Sequence, residues 1–124
     1  MIELAAAAPE QVKGERLSAA QEIPQKFLEN ILVDLRHAGL VASQRGAEGG
    51  YRLALDPDQV TVADVIRAVE GPIASVRGVR PDEVSYAGTA LPLRDVWIDL
   101  RTAMRGVLEQ TTLGDLVKQS RRSD

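Results

Sequence analysis

The 124 residues predict a mostly α fold with one small β-hairpin, and three stretches carry that expectation. Ile23 to Val41 reads as a single helix marked at both ends. Gly46-Ala47-Glu48-Gly49-Gly50 is a flexible turn between two short runs with strand character. Leu93 to about Gln110 is a long amphipathic helix.

In chain order, Met1 to Ala8 has strong helix propensity and stops at Pro9. Gln11 to Gln21 can form a second short helix, with Val12, Leu17 and Ala20 as inward candidates. Ser18 to Glu22 leads into Ile23-Pro24, a tight turn, so the flanking helices form a helix-turn-helix. In the next helix Pro24 suits the first helical position, where its missing N–H has no partner to lose. Gly39 supplies a left-handed stop. Phe27, Leu28, Ile31, Leu32 and Leu35 share one apolar sector at the helical period, opposite Gln25, Lys26, Glu29, Asn30, Val33 and Arg36. Such a helix either is simply solvated on its polar side or offers that side to a partner.

Leu40 to Arg45 reads as a strand and Tyr51 to Leu55 as a second one, with the glycines between them supplying backbone angles that other residues resist. A helix running into a hairpin with an arginine at its tip is the layout of a winged helix-turn-helix. There the helix enters the major groove of DNA and the wing reaches a neighbouring backbone or minor groove. A hairpin after a helix in another α+β domain would give the same local pattern.

Asp56-Pro57-Asp58 breaks the second strand. Thr61 then caps a helix with Asp64 as its capping-box partner, Val62, Val65, Ile66 and Val69 mark a packing face, and Gly71-Pro72 ends it. Residues 72–92 follow as a loop without a clear period. In the long helix Leu93, Val96, Trp97, Leu100, Met104, Val107 and Leu108 line one face for over four turns. Such a face packs on its own domain or on a second subunit. Thr112 caps a last short helix, Leu113 to Val117, and Lys118 to Asp124 is expected to fray. The organisation is thus residues 1–71 as a winged helix-turn-helix unit, 72–92 as a loop, and 93–124 as the long helix and tail.

Composition narrows the function. The chain has no cysteine, which excludes disulfides and thiolate-held zinc or iron–sulfur sites. No apolar run approaches a membrane span and the start lacks a signal-peptide pattern, so a soluble, cytoplasmic protein is expected. The formal net charge of −3 is awkward for a nucleic-acid binder. Lys26, Arg36, Arg45 and Arg52 nevertheless map to the helix face or the hairpin, and acidic residues at the far end are expected to hold much of the deficit. Enzymatic chemistry finds little support. His37 reads as a surface or capping histidine, Asp56, Asp58 and Asp64 as turn and cap residues, and the loop from Gly46 to Gly50 joins two strands and lacks a lysine–serine/threonine ending. No catalytic residues, metal ligands or cofactor are assigned.

Leu40-Val41, Arg45-Gly46 and Gly49-Gly50-Tyr51-Arg52-Leu53 resemble the wing signature of the IscR/CymR/NsrR-type (Rrf-family) transcriptional regulators. Ile23-Pro24 with Phe27-Leu28-Glu29 is similar to that family's recognition helix, and Leu35-Arg36 with Gly39-Leu40-Val41 to its exit. Val65-Ile66, Val69-Glu70-Gly71, Trp97 and Thr112 to Val117 fit the same pattern downstream. The resemblance covers nearly the whole chain and implies a homodimeric regulator, expected to be a repressor, on a pseudo-palindromic operator of double-stranded DNA. It places Gln25, Lys26, Glu29 and Asn30 toward the major groove and Arg45 at the wing, with Arg36 and Arg52 on phosphates. Arg52 has an equal claim to a structural role. The long helix, through Leu93, Val96, Trp97, Leu100, Met104 and Val107, would cross to the partner subunit.

Two departures accompany the resemblance. Many members hold an iron–sulfur cluster on three cysteines before the long helix, whereas the corresponding stretch here, Val76 to Thr89, has no thiol. The family's first helix usually starts upstream of the position matching Met1, so the start of that helix is expected to be missing. An effector, whether small molecule or protein, would use the 72–92 loop or the groove beside Trp97. The competing function is a dimeric winged-helix protein-interaction module that does not bind DNA.

Overall fold

A computed structural model describes residues 1–73, 79–80 and 83–122. Among these residues six α-helices and one hairpin follow in the order α1 (Ile2–Ala7), α2 (Gly14–Gln21), α3 (Gln25–His37), β1 (Val41–Gln44), β2 (Gly50–Leu53), α4 (Val62–Glu70), α5 (Leu91–Gln110) and α6 (Leu113–Arg122). Residues 74–78 and 81–82, and with them part of the expected 72–92 loop, lie outside the described residues.

The core forms where α1, α3, the root of the hairpin and α6 converge. Leu4, Leu35 and Val60 are almost fully enclosed, joined by Leu28, Leu32, Leu40, Val41, Leu53, Leu113 and Val117. The expected apolar sector of α3 is therefore real at Leu28, Leu32 and Leu35, and Ile31 is half-buried. Phe27 corrects that expectation: it is 61% exposed, because Leu28 takes the inward position of its turn.

The end of α3 shows why Gly39 stands there. The Gly39 N–H donates to the Arg36 carbonyl at 3.0 Å and the Leu40 N–H to the Leu35 carbonyl at 3.0 Å. This pair of bonds needs a left-handed residue at Gly39, whose φ is +80°. It also carries Leu40 into the core beside Leu35 and aims the chain directly into β1. At the other end Pro24 is the cap and Gln25 the first helical residue, one place later than expected.

The hairpin pairs Val41 with Leu53, Ala42 with Arg52, Ser43 with Tyr51 and Gln44 with Gly50. The second helix starts at Gly14, not Gln11, because the preceding residues are extended. Val12 and Tyr51 exchange backbone hydrogen bonds of 2.8 Å in both directions, which adds a one-residue third strand to the hairpin. Leu17 is buried as expected, whereas Ala20 is exposed. Of the hairpin glycines, Gly46 alone takes a positive φ; Gly50 is needed for room instead, since a Cβ there would lie 2.8 Å from the Val12 carbonyl oxygen.

Thr61 and Asp64 form the expected capping box of α4, and Gly71 ends the helix. Ala63 is its fully buried residue, and Val62, Val65, Ile66 and Val69 are half-buried. Between α4 and α5, a 3₁₀ turn at Gly88–Ala90 brings the start of α5 forward to Leu91. The last helix is longer than expected. It runs to Arg122 instead of fraying at Lys118, anchored by Leu113 and Val117 against the core and packed on α1. Asp115 in its first turn and Arg121 and Arg122 in its last suit the helix dipole.

Candidate nucleic-acid interface

Three buried leucines, Leu28, Leu32 and Leu35, pin one side of α3 to the core and fix which side faces out. Gln25, Lys26, Glu29, Asn30, Val33 and Arg36 are all exposed there, with donors and acceptors on four of them within the first two turns. No side chain caps the first turn, and its free N–H groups lie beside Lys26. The turn that precedes α3 is closed by the Ser18 hydroxyl, which donates to the Ile23 carbonyl at 2.5 Å, and by the Ile23 N–H, which donates to the Ser18 carbonyl. The exposed start of α3 is thus carried on a rigid helix–turn–helix frame.

The wing is tied to the same frame. The Gln11 amide donates to the Gln44 side-chain oxygen at 2.7 Å, and the Val12–Tyr51 bridge lies next to it. Arg45 sits at the start of the wing loop, exposed. Arg36 reaches back to the Ser43 hydroxyl at 3.4 Å, a long hydrogen bond, and so bridges α3 and β1. Arg52 is exposed on the solvent side of β2, and its guanidinium lies 3.5 Å from the Leu53 carbonyl oxygen. Gln25, Lys26, Glu29 and Asn30 are therefore brought to one surface; Arg45 lies on the wing beyond it, and Arg36 and Arg52 flank the hairpin.

The charge distribution corrects one expectation. Residues 1–71 hold seven Lys and Arg against eleven Asp and Glu, and residues 72–124 hold eight against seven. The acidic excess lies in the part that carries the helix-turn-helix, not at the far end. Glu22, Glu29 and Glu48 are exposed there among the cations.

A second surface runs along α5. Leu91, Leu93, Val96, Leu100, Met104 and Val107 are 38–67% exposed, and Trp97 is half-buried. The helix has no buried residue. It is held to α4 by Arg67, which pairs with Glu109, a carboxylate that also accepts from Arg105 at 3.0 Å. Hydrogen bonds from Arg67 and then Arg105 hold the Glu109 carboxyl below its ordinary range. A further apolar groove of about 330 Å³ opens between α1, α3, α4 and α6, away from the loop and from Trp97. Among the described residues no helix is long and apolar enough to cross a membrane.

Phe27 and the Val12–Tyr51 bridge were missed by sequence reasoning. Phe27 lies at the margin of the apolar sector, where periodicity alone does not decide burial. Val12, set between Gln11 and Lys13, carries a brief strand-like alternation that a helical reading absorbs.

A family model described as "Rrf2: Iron-dependent Transcriptional regulator" matches residues 1–119. Rv1287 of Mycobacterium tuberculosis, provisionally named an HTH-type transcriptional regulator, is 49% identical over 117 residues, covering 94% of this chain and 73% of that protein. The structure of CymR from B. subtilis superposes with a TM-score of 0.79 at 38% identity, covering 95% of this chain and 87% of that one. IscR of T. potens gives a TM-score of 0.79 at 29% identity, with 99% and 81% covered. Iron held as a thiolate-bound cluster does not fit these residues. The chain has no cysteine, its one histidine is the exposed His37, and among the described residues no group of three His, Asp or Glu could hold a metal ion.

Proposed function

We propose, from the premise that this chain belongs to the Rrf2 family of transcriptional regulators, that it is a repressor acting as a homodimer on a pseudo-palindromic operator. Like its relatives, the chain is a winged-helix transcriptional regulator and not an enzyme. The observation that carries the finer reading is the exposed start of α3, where Gln25, Lys26, Glu29 and Asn30 stand together on a frame fixed by buried leucines. In the major groove Glu29 would accept from a cytosine amino group and Asn30 would pair with adenine, each contact worth about 1–3 kcal/mol of discrimination. Arg36 and Arg52 would meet phosphates, and Arg45, at the wing, a neighbouring backbone or groove; such phosphate contacts position the protein without reading sequence.

Support for the dimer comes from the apolar stripe of α5, through Leu93, Val96, Trp97, Leu100, Met104 and Val107. A stripe this long on a helix with no buried residue is covered most simply by its own symmetry mate, and a twofold protein matches a twofold operator. A cytoplasmic site of action follows from this reading.

The acidic excess of residues 1–71 favours a second reading, a dimeric winged-helix interaction module that has left DNA. Selection of bound fragments from a random double-stranded DNA pool at two salt concentrations separates the two. Enrichment of a palindrome, weakened by Arg45→Ala, supports the operator reading. No enrichment from a dimer verified by light scattering supports the interaction module.

A further inference from the structure

Phe27 is the one phenylalanine of the chain, and it stands in the first turn of α3 with its side chain 61% exposed. A phenyl ring gains more from burial than most side chains, yet here the core is served by Leu28 and the ring is left outside. By helical geometry it lies about 60° around the axis from Asn30 and about 100° from Lys26. Long side chains on a helix lean toward the N-terminus, so the ring lies over the turn that a recognition helix presents to base edges. Asn30, the nearest of the exposed polar residues around the axis, and Lys26 supply hydrogen-bonding groups; Phe27 can supply none. The one apolar feature of a base edge in the major groove is the C5-methyl group of thymine.

We infer that Phe27 reads a pyrimidine C5-methyl group, so that thymine or 5-methylcytosine is preferred at one position of each half-site. The inference rests on the operator reading above. It assigns a specificity role to a residue that the helical period had placed in the core.

The test replaces each thymine of the selected duplex in turn by uracil, which deletes the methyl group and keeps every hydrogen-bonding group. Affinity is read by fluorescence anisotropy for the wild-type chain, Phe27→Ala, Phe27→Leu and Val33→Ala, with folding verified by circular dichroism. Uracil at one position per half-site weakens the wild-type chain about fourfold for each methyl lost. Phe27→Ala binds thymine and uracil duplexes alike, Phe27→Leu retains part of the preference, and Val33→Ala retains all of it. A wild-type chain indifferent to every uracil, or a Phe27→Ala chain that keeps the preference, overturns the inference while the operator reading stands. Loss of the dimer in Phe27→Ala without DNA assigns the ring to self-association and overturns it as well. Failure of every duplex to bind selectively removes the operator reading itself, before any uracil is introduced.

Discussion

Thr61 and Thr112 face each other in an isolated antiparallel bridge, and each heads a helix through the same capping box. The Thr61 hydroxyl accepts from the Asp64 N–H at 3.1 Å while the Asp64 carboxylate accepts from the Thr61 N–H at 3.0 Å. Thr112 and Asp115 repeat the arrangement at 3.0 Å and 3.0 Å. The Val62 N–H donates to the Thr111 carbonyl and the Leu113 N–H to the Val60 carbonyl, both at 2.9 Å, so α4 and α6 start from one shared joint. The joint returns the chain to the core after α5.

Thr61→Ala and Thr112→Ala should each lower unfolding stability by about 1 kcal/mol in urea titrations, the usual worth of such a cap. Because the two caps share backbone hydrogen bonds, the double substitution should depart from the sum of the single ones by at least about 0.5 kcal/mol. Strict additivity would mean that the two helix starts are independent.

Acid should loosen this part of the molecule. Hydrogen bonds from the Thr112 backbone and side chain hold the Asp115 carboxyl below its ordinary 3.8, and Arg67 with Arg105 holds Glu109 below its ordinary 4.5. A carboxyl depressed in the folded chain stabilises it fully above the unfolded value and loses that contribution as pH falls through the folded one. Stability measured between pH 6 and pH 3 should therefore decline mainly below the ordinary carboxylate values cited, and Glu109→Gln should flatten the decline. An unchanged profile in Glu109→Gln would show that Glu109 contributes nothing to the acid dependence.

Gly50→Ala should destabilise the wing by about 1–3 kcal/mol, since the added methyl meets the Val12 carbonyl and must push the third strand away from Tyr51. Amide hydrogen exchange at Val12 and Tyr51 should rise in the variant. Protection retained at both would contradict the steric argument.

Within the operator reading, Arg36→Ala and Asn30→Ala should fail differently. Loss of a phosphate contact weakens binding to all sequences alike and reduces the salt slope by about 1. Loss of a base contact relaxes one position of the selected sequence and costs about 1–3 kcal/mol there. Binding curves at several salt concentrations, with matched and mismatched duplexes, distinguish them.

Much of this architecture was legible because it is local. Thr61 with Asp64, Gly39 after a periodic helix, and alternation from Tyr51 to Leu53 each report on residues within a turn or two of one another. The Val12–Tyr51 bridge was not legible, because residues distant in sequence make it through backbone atoms that carry no residue identity. Phe27 was misread because a hydrophobic residue at a sector's edge is buried or exposed by what the neighbouring elements leave open. The tail was misread for a related reason: Lys118 to Arg122 has no apolar pattern, and α6 persists on the anchorage of Leu113 and Val117. On the candidate interface, helical period sets Gln25, Lys26, Glu29, Asn30, Val33 and Arg36 opposite the apolar sector of α3, where all six are exposed, whereas the tie of Arg36 to Ser43 required the fold.

Two chains, joined through α5, should read two half-sites of one duplex. The direct measurement is the mass of the protein–DNA complex by sedimentation equilibrium, on the selected duplex and on one with a half-site scrambled, for the wild-type chain and Val107→Glu. Two wild-type chains are expected on the intact duplex, with a loss of affinity when either half is scrambled. Val107→Glu, which charges the most exposed large hydrophobic side chain of α5, should weaken both dimer and complex. One chain per duplex, equal affinity for the scrambled duplex, or an unaltered Val107→Glu complex would contradict that arrangement.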